Sequence, residues 1–212
     1  MSLAIDLTTA HIARFKVSLD NSDPSIWRRI EVPLTANLQV LHEVIQAVML
    51  FENYHLFEFV TGKRGSETRY AIPDPNGDFT ETTDVRKTTL GQLIEAGVKS
   101  MIYTYDFGDD WRHTILVESV ASAEPTFDYP RFIEGANRAP PEDVGGQPGF
   151  EHFLNVMADA AHSEHADIMR WYGKTFNPKD IAETEIAIRI TKLANRKTTT
   201  KSTIVKSKRR IH

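Results

Sequence analysis

His11-Ile-Ala-Arg-Phe-Lys-Val-Ser-Leu19, followed by Ile26-Trp-Arg-Arg-Ile-Glu-Val32, decides the fold. In the first segment Ala13, Phe15, Val17 and Leu19 share one face, with Arg14, Lys16 and Ser18 on the other. A period of two is that of a half-buried strand. The second segment repeats it, with Ile26, Ile30 and Val32 against Trp27, Arg29 and Glu31. Asn21-Ser-Asp-Pro24 lies between them as a turn cluster, so the pair reads as an antiparallel hairpin closed by Pro33.

The period then changes. Leu38, Leu41, Val44, Ile45 and Val48 follow helical spacing, with Thr35 or Asn37 placed to cap the first turn. Short strands are expected around Leu56–Val60 and Arg69–Ile72, with a surface loop over Pro73–Thr83. Thr89-Leu-Gly-Gln92 has the capping-box form and predicts a helix over Leu90–Ala96, ended by Gly97. Met101–Tyr105 and Thr114–Val120 read as strands, and Glu124–Pro148 as a long irregular connection. Helices are expected through Phe150–Met157 and Ala166–Tyr172, and a last one from Asn177-Pro178. Strands come first and helices last, which predicts an α+β fold. The strand, strand, helix, strand order suggests a β-grasp-like twisted sheet wrapping a helix, with additional C-terminal helices. Residues 1–190 read as one domain.

Charge is unevenly placed. Of the 25 Lys and Arg residues, eight lie in Thr191–His212, which has no acid; residues 1–190 keep 17 basic against 29 acidic groups, a balance of −12. The 191–212 tail is also rich in Thr and Ser, and Asn195–His212 is read as disordered because it buries too little to offset its ordering entropy. Lys206, Lys208, Arg209 and Arg210 can bind phosphates by counterion release, so nonspecific nucleic acid is one partner class. A solvated tail lying against the acidic body is the alternative. The body favours a basic protein partner. The longest apolar run, Ala47–Phe51, is far short of the roughly 18 residues a membrane span needs. Met1–Ala10 has no secretory pattern. Cysteine is absent, which excludes disulfides, thiolate zinc sites and a cysteine nucleophile and fits a cytoplasmic setting.

Two constellations carry the candidate chemistry. In Tyr103-Thr-Tyr-Asp-Phe-Gly-Asp-Asp-Trp-Arg-His113 a tight turn gathers Asp106, Asp109 and Asp110, and His113 is placed to approach Asp106 across a hairpin. In Ala139-Pro-Pro-Glu-Asp-Val-Gly-Gly146, Glu142 and Asp143 precede a flexible Gly pair. Carboxylates with an imidazole suit a cation site or an acid/base pair. Asp and Gly are also ordinary turn residues, so structural braces are the competing reading. These six residues are taken as a candidate binding or metal surface, with no catalytic role, metal or cofactor assigned. Acids beside Gly145-Gly146 argue against a phosphate loop. His42, His55, His162 and His165 form no His-Glu-x-x-His and are read as ordinary rather than metal-ligating histidines. There is no Gly-x-Ser-x-Gly.

Several segments together resemble the plasmid pRi ORF-three-like family, also labelled TnpR-type passenger proteins of insertion elements. They are Ile26-Trp-Arg-Arg-Ile30, Leu41-His-Glu-Val-Ile-Gln46, His55-Leu-Phe-Glu-Phe59, Tyr103–His113 with Glu118, Pro140–Gly146, Ala161-His-Ser-Glu-His165, Trp171-Tyr-Gly173 and Phe176-Asn-Pro178. The resemblance covers about residues 11–190 and implies an α+β fold in a plasmid or mobile-element setting, without supplying an activity. Leu50-Phe51 departs from a Gly-Trp often seen after the first helix. The functional expectation is a non-enzymatic binding or adaptor module; the alternative is a metal-dependent hydrolase or nuclease accessory to a mobile element.

Overall fold

The computed structural model describes residues 11–73 and 82–208, those from 197 onward as backbone. Expectations for 1–10, for the loop at 74–81 and for the last four positions lie outside the described residues.

The hairpin forms as its alternation requires. β1 (His11–Leu19) pairs antiparallel with β2 (Trp27–Pro33), and Ala13, Phe15, Val17 and Leu19 are all buried. α1 (Leu38–Met49) follows, capped by Asn37, whose side chain accepts from the Val40 N–H at 3.0 Å. Then come β3 (Phe57–Thr61), β4 (Thr68–Ala71), β5 (Thr83–Asp84), α2 (Leu90–Glu95), β6 (Ser100–Tyr105) and β7 (Trp111–Ser122). β8 (Arg131–Ala136), α3 (Gly146–Ala158), α4 (His165–Tyr172) and α5 (Glu183–Lys208) complete the chain. The strands make one sheet in the order β5-β4-β3-β6-β7-β1-β2-β8, antiparallel except for β4 with β5. The class is α+β. α1 lies on one face of the sheet, its His42 ring stacked 3.6 Å from Phe57 of β3.

Arg28 belongs to the inward face of β2 with Ile26 and Ile30, and it is fully buried. Its hydrogen-bond partners are carbonyls rather than carboxylates. The guanidinium donates to those of Val48 at 2.9 Å, Trp27 at 2.8 Å, Ala136 at 3.0 Å and Asn137 at 2.9 Å. Burial, and then the nearby Arg138 cation, lower its pKa to about 10, so it remains charged at neutral pH. The end of α1, β2 and the segment after β8 are thereby tied at one point.

Two expectations are revised. β8 lies inside the stretch read as irregular; its residues are mostly half-buried on both sides, so no alternation marks it. The last helix does not start at Pro178. The Asn177 side chain accepts from the Lys179 N–H at 3.0 Å, a local turn that competes with helix, and α5 begins at Glu183. Helical backbone continues to Lys208. Extending an established helix costs far less than starting one, and buried Ile186, Ile190 and Ala194 anchor its first half.

Candidate functional site

The turn between β6 and β7 is built from residues that accept left-handed backbone. Asp106 has φ 55° and Asp110 φ 53°, a region Asp enters more readily than most residues. The Asp106 Oδ1 atom accepts the Gly108 N–H at 3.0 Å and the Asp109 N–H at 3.4 Å. That fixes the carboxylate and leaves Oδ2 facing away from the turn.

The Pro140–Gly146 loop docks onto this turn. The Gly145 N–H donates to Asp109 Oδ2 at 3.2 Å, at the start of α3, where a carboxylate also suits the positive helix end. Gly146 passes so close that a Cβ there would sit 2.8 Å from the Asp109 carbonyl oxygen, at φ +67°. Only glycine permits that approach. Docking carries Glu142 and Asp143 to Asp106.

The centre of the resulting cluster is His55. Its Nε2 lies 3.0 Å from Asp143 Oδ1, 3.5 Å from Asp106 Oδ2 and 3.9 Å from Glu142 Oε2. The donor atoms of His55, Asp106 and Asp143 all lie within 4.8 Å of one another. Glu142 is held through its other oxygen: Oε1 accepts the Tyr105 hydroxyl at 2.9 Å and the Glu52 N–H at 2.5 Å. Tyr105 in turn accepts the Tyr54 N–H at 3.0 Å, which seats the loop bearing His55. Burial, and then the Glu142 carboxylate, push the Tyr105 pKa up, so it acts as a phenol donor. Glu142 Oε2 and His55 Nε2 are buried with no hydrogen-bond partner; the approach of Nε2 to Asp143 is too far off line to be a hydrogen bond. Three exposed apolar side chains neighbour the site residues in sequence: Tyr54, Leu56 and Phe107.

The six residues expected to form one surface therefore divide. Asp106, Glu142 and Asp143 converge. Asp109 instead braces the loop, and Asp110 is exposed at the turn, with no place in the cluster. His113 does not meet Asp106. The β6–β7 register pairs it with Tyr103 and ends at Tyr105 with Trp111, so Asp106 lies beyond the ladder. His113 is fully buried, its Nδ1 2.9 Å from the Trp111 carbonyl, and burial lowers its pKa to about 4. His55, set aside as a ligand on sequence grounds, takes the central place. The signal that points to it is the His55-Leu-Phe-Glu-Phe59 motif, not any metal-ligand spacing. Of the basic tail, the side chains of Lys206 and Lys208, and all of Arg209 and Arg210, lie outside the described residues.

A second polar cluster lies deeper, under α1. His42 Nδ1 is 2.8 Å from the Tyr103 hydroxyl, and its Nε2 is 2.7 Å from Asn53 Oδ1. The Gln46 amide donates to the same hydroxyl at 3.0 Å, and Gln46 Oε1 accepts the Asn53 N–H at 2.9 Å. With Asn53 Oδ1 as acceptor, Nε2 carries the proton and Nδ1 accepts from Tyr103. Burial lowers the His42 pKa to about 4, which keeps the ring neutral.

Fold and site together define an α+β protein whose mixed sheet carries an acid-and-histidine cluster at the end of its β6–β7 hairpin. The chain belongs to the plasmid pRiA4b ORF-3-like family, whose model matches residues 11–185. It is similar to the uncharacterized protein y4hQ of Sinorhizobium fredii (strain NBRC 101917 / NGR234), 36% identical over 197 residues, 89% of this chain and 99% of that one. Among solved structures it is similar to the protein of unknown function MM3350 from Methanosarcina mazei Go1. There the identity is 34% and the TM-score 0.72, over 81% of this chain and 95% of that one. No helix among the described residues is long and apolar enough to cross a membrane.

Proposed function

We propose that the protein is a binding module that recognises a positively charged group at the cluster formed by His55, Asp106, Glu142 and Asp143. One observation carries this reading. Each of Asp106 and Glu142 has one oxygen fixed by N–H or O–H donors and the other aimed into shared space, where Glu142 Oε2 and His55 Nε2 have no hydrogen-bond partner. Buried acceptors are normally satisfied, so a cluster of unsatisfied ones calls for a ligand. The −12 balance of residues 1–190 favours a cationic ligand such as a basic segment of a partner protein. Exposed Tyr54, Leu56 and Phe107 offer apolar contact beside it. The setting proposed is the cytoplasm, as a passenger protein of a plasmid or insertion element. The basic tail adds nonspecific affinity for nucleic acid.

The test is fluorescence anisotropy with a labelled Lys/Arg-rich peptide. Binding is expected to weaken at least tenfold in Asp106→Asn and Asp143→Asn and to be unchanged in Asp110→Asn. Equal binding by all four proteins would remove the cluster from the interaction. A second reading, metal-assisted hydrolysis accessory to a mobile element, draws on the imidazole nitrogen among the carboxylates, because a bound ion can activate water.

A further inference from the structure

We propose that the group seated in the cluster is a divalent transition-metal ion, held by His55 Nε2, Asp106 Oδ2 and Asp143 Oδ1, with Glu142 Oε2 as fourth donor. The inference rests on the reading that the cluster binds a cation, and it names that cation.

Distance is the first argument. Ligands sharing a zinc-like ion at roughly 2.0–2.2 Å from each donor lie about 3–3.6 Å from one another. The separations from Nε2 to Asp143 and Asp106, 3.0 and 3.5 Å, fall in that range, and Glu142 stands farther off at 3.9 Å. Among the described residues this is the one group of three or more His and acid side chains whose donor atoms meet in this way.

Direction is the second. Nε2 comes within 3.0 Å of Asp143 Oδ1 without a hydrogen bond to it. Their closeness is therefore not explained by attraction between the two groups along an N–H. At ion-pair distance but without hydrogen bonds to one another, these atoms keep lone pairs that a single ion could share. An imidazole nitrogen also separates the candidates: a lysine or arginine head is served best by carboxylates, whereas imidazole is the commonest metal ligand among side chains.

The supporting residues are the third. Metal ligands are oriented by outer hydrogen bonds that fix which atom faces the ion. Asp106 has the N–H groups of Gly108 and Asp109 on Oδ1, and Glu142 has the Tyr105 hydroxyl and the Glu52 N–H on Oε1. In both, the free oxygen is the one facing His55.

Donor chemistry sets the ion class. One nitrogen and three oxygens, in a chain without cysteine, suit Zn²⁺, Mn²⁺ or Fe²⁺. The imidazole disfavours Ca²⁺ and Mg²⁺, which take oxygen ligands. Asp143 is 64% exposed, so the cluster meets solvent on its side.

The test uses the full chain, stripped with chelator and dialysed. Thermal melts with Zn²⁺, Mn²⁺ and Co²⁺ are expected to rise with ion concentration, and Ca²⁺ and Mg²⁺ to have little effect. Co²⁺ is expected to give a visible absorption band. His55→Ala and Asp106→Asn should each weaken Co²⁺ binding about 100-fold or more, and Asp110→Asn should leave it unchanged. His55→Gln serves as a second variant, and circular dichroism confirms that each variant is folded. Absence of any transition-metal shift, or a folded His55→Ala with wild-type Co²⁺ affinity, overturns the proposal. If the Lys/Arg peptide still binds in an Asp106-dependent way while the ions do not, the metal inference alone fails. If neither binds, the reading beneath it fails as well.

Discussion

The histidines at His42 and His55 belong to two polar clusters only a few residues apart, and the clusters are built on opposite terms. Around His42 both ring nitrogens have a partner, and Tyr103, Gln46 and Asn53 close the circuit. Around His55 the carboxylate oxygens lie 3.0–3.9 Å from Nε2, and two of these atoms have no hydrogen-bond partner. Tyr103 and Tyr105, alternate residues of the same strand, serve one cluster each. The first cluster has the form of a structural element, complete without a ligand. The second is arranged as though something else completes it. Residue type does not distinguish them; hydrogen-bond completeness does.

Acid is expected to act most strongly on the buried histidines rather than on His55. His42 and His113 have folded pKa values near 4, lowered from 6.5 chiefly by burial. Between pH 6.5 and 4 the unfolded chain binds protons at these residues that the folded chain does not. Stability therefore holds above pH 6.5 and falls as pH drops toward 4, by about 1.4 kcal/mol per pH unit for each histidine. Urea midpoints across that range check it, and His113→Phe should flatten the slope.

Substitution sharpens the contrast. His42→Ala leaves the Tyr103 hydroxyl without its acceptor and Asn53 Oδ1 without its donor and opens a cavity, at an expected cost of about 3 kcal/mol. His55→Ala should cost less than about 1 kcal/mol in chelator-treated protein, because no hydrogen bond is lost from Nε2. Equal losses in the two variants, read as urea midpoints at constant slope, would dissolve the distinction.

An intermediate effect falls on the residue serving the open region from beneath. Tyr105→Phe removes the donor to Glu142 and the acceptor for the Tyr54 N–H. The expected loss is about 1–2 kcal/mol of stability and about tenfold in ion affinity, measured by denaturation and Co²⁺ titration.

Much of this architecture is legible in the sequence where one face of an element is buried. β1, β2, α1 and the capping box before α2 follow from alternation, helical period and cap chemistry. β8 is not legible, because half-burial on both sides erases the period, and Asn177-Pro178 misleads because a turn and a helix start share the same residues. At the site, Asp106, Glu142 and Asp143 stand out as motif acids. Their division from Asp109, Asp110 and His113 depends on hairpin register and loop docking, which are tertiary facts. His55 is a single residue far from its partners in the chain, and no local spacing connects them.

The cluster draws its donors from the approach to β3, the end of β6 and the loop before α3, in a chain with no cysteine. An ion held there acts as a reversible cross-link, pinning three remote stretches that no disulfide joins. Its removal would loosen the loops first and leave the sheet standing, so protease nicking near residues 52–56 and 140–145 would report occupancy.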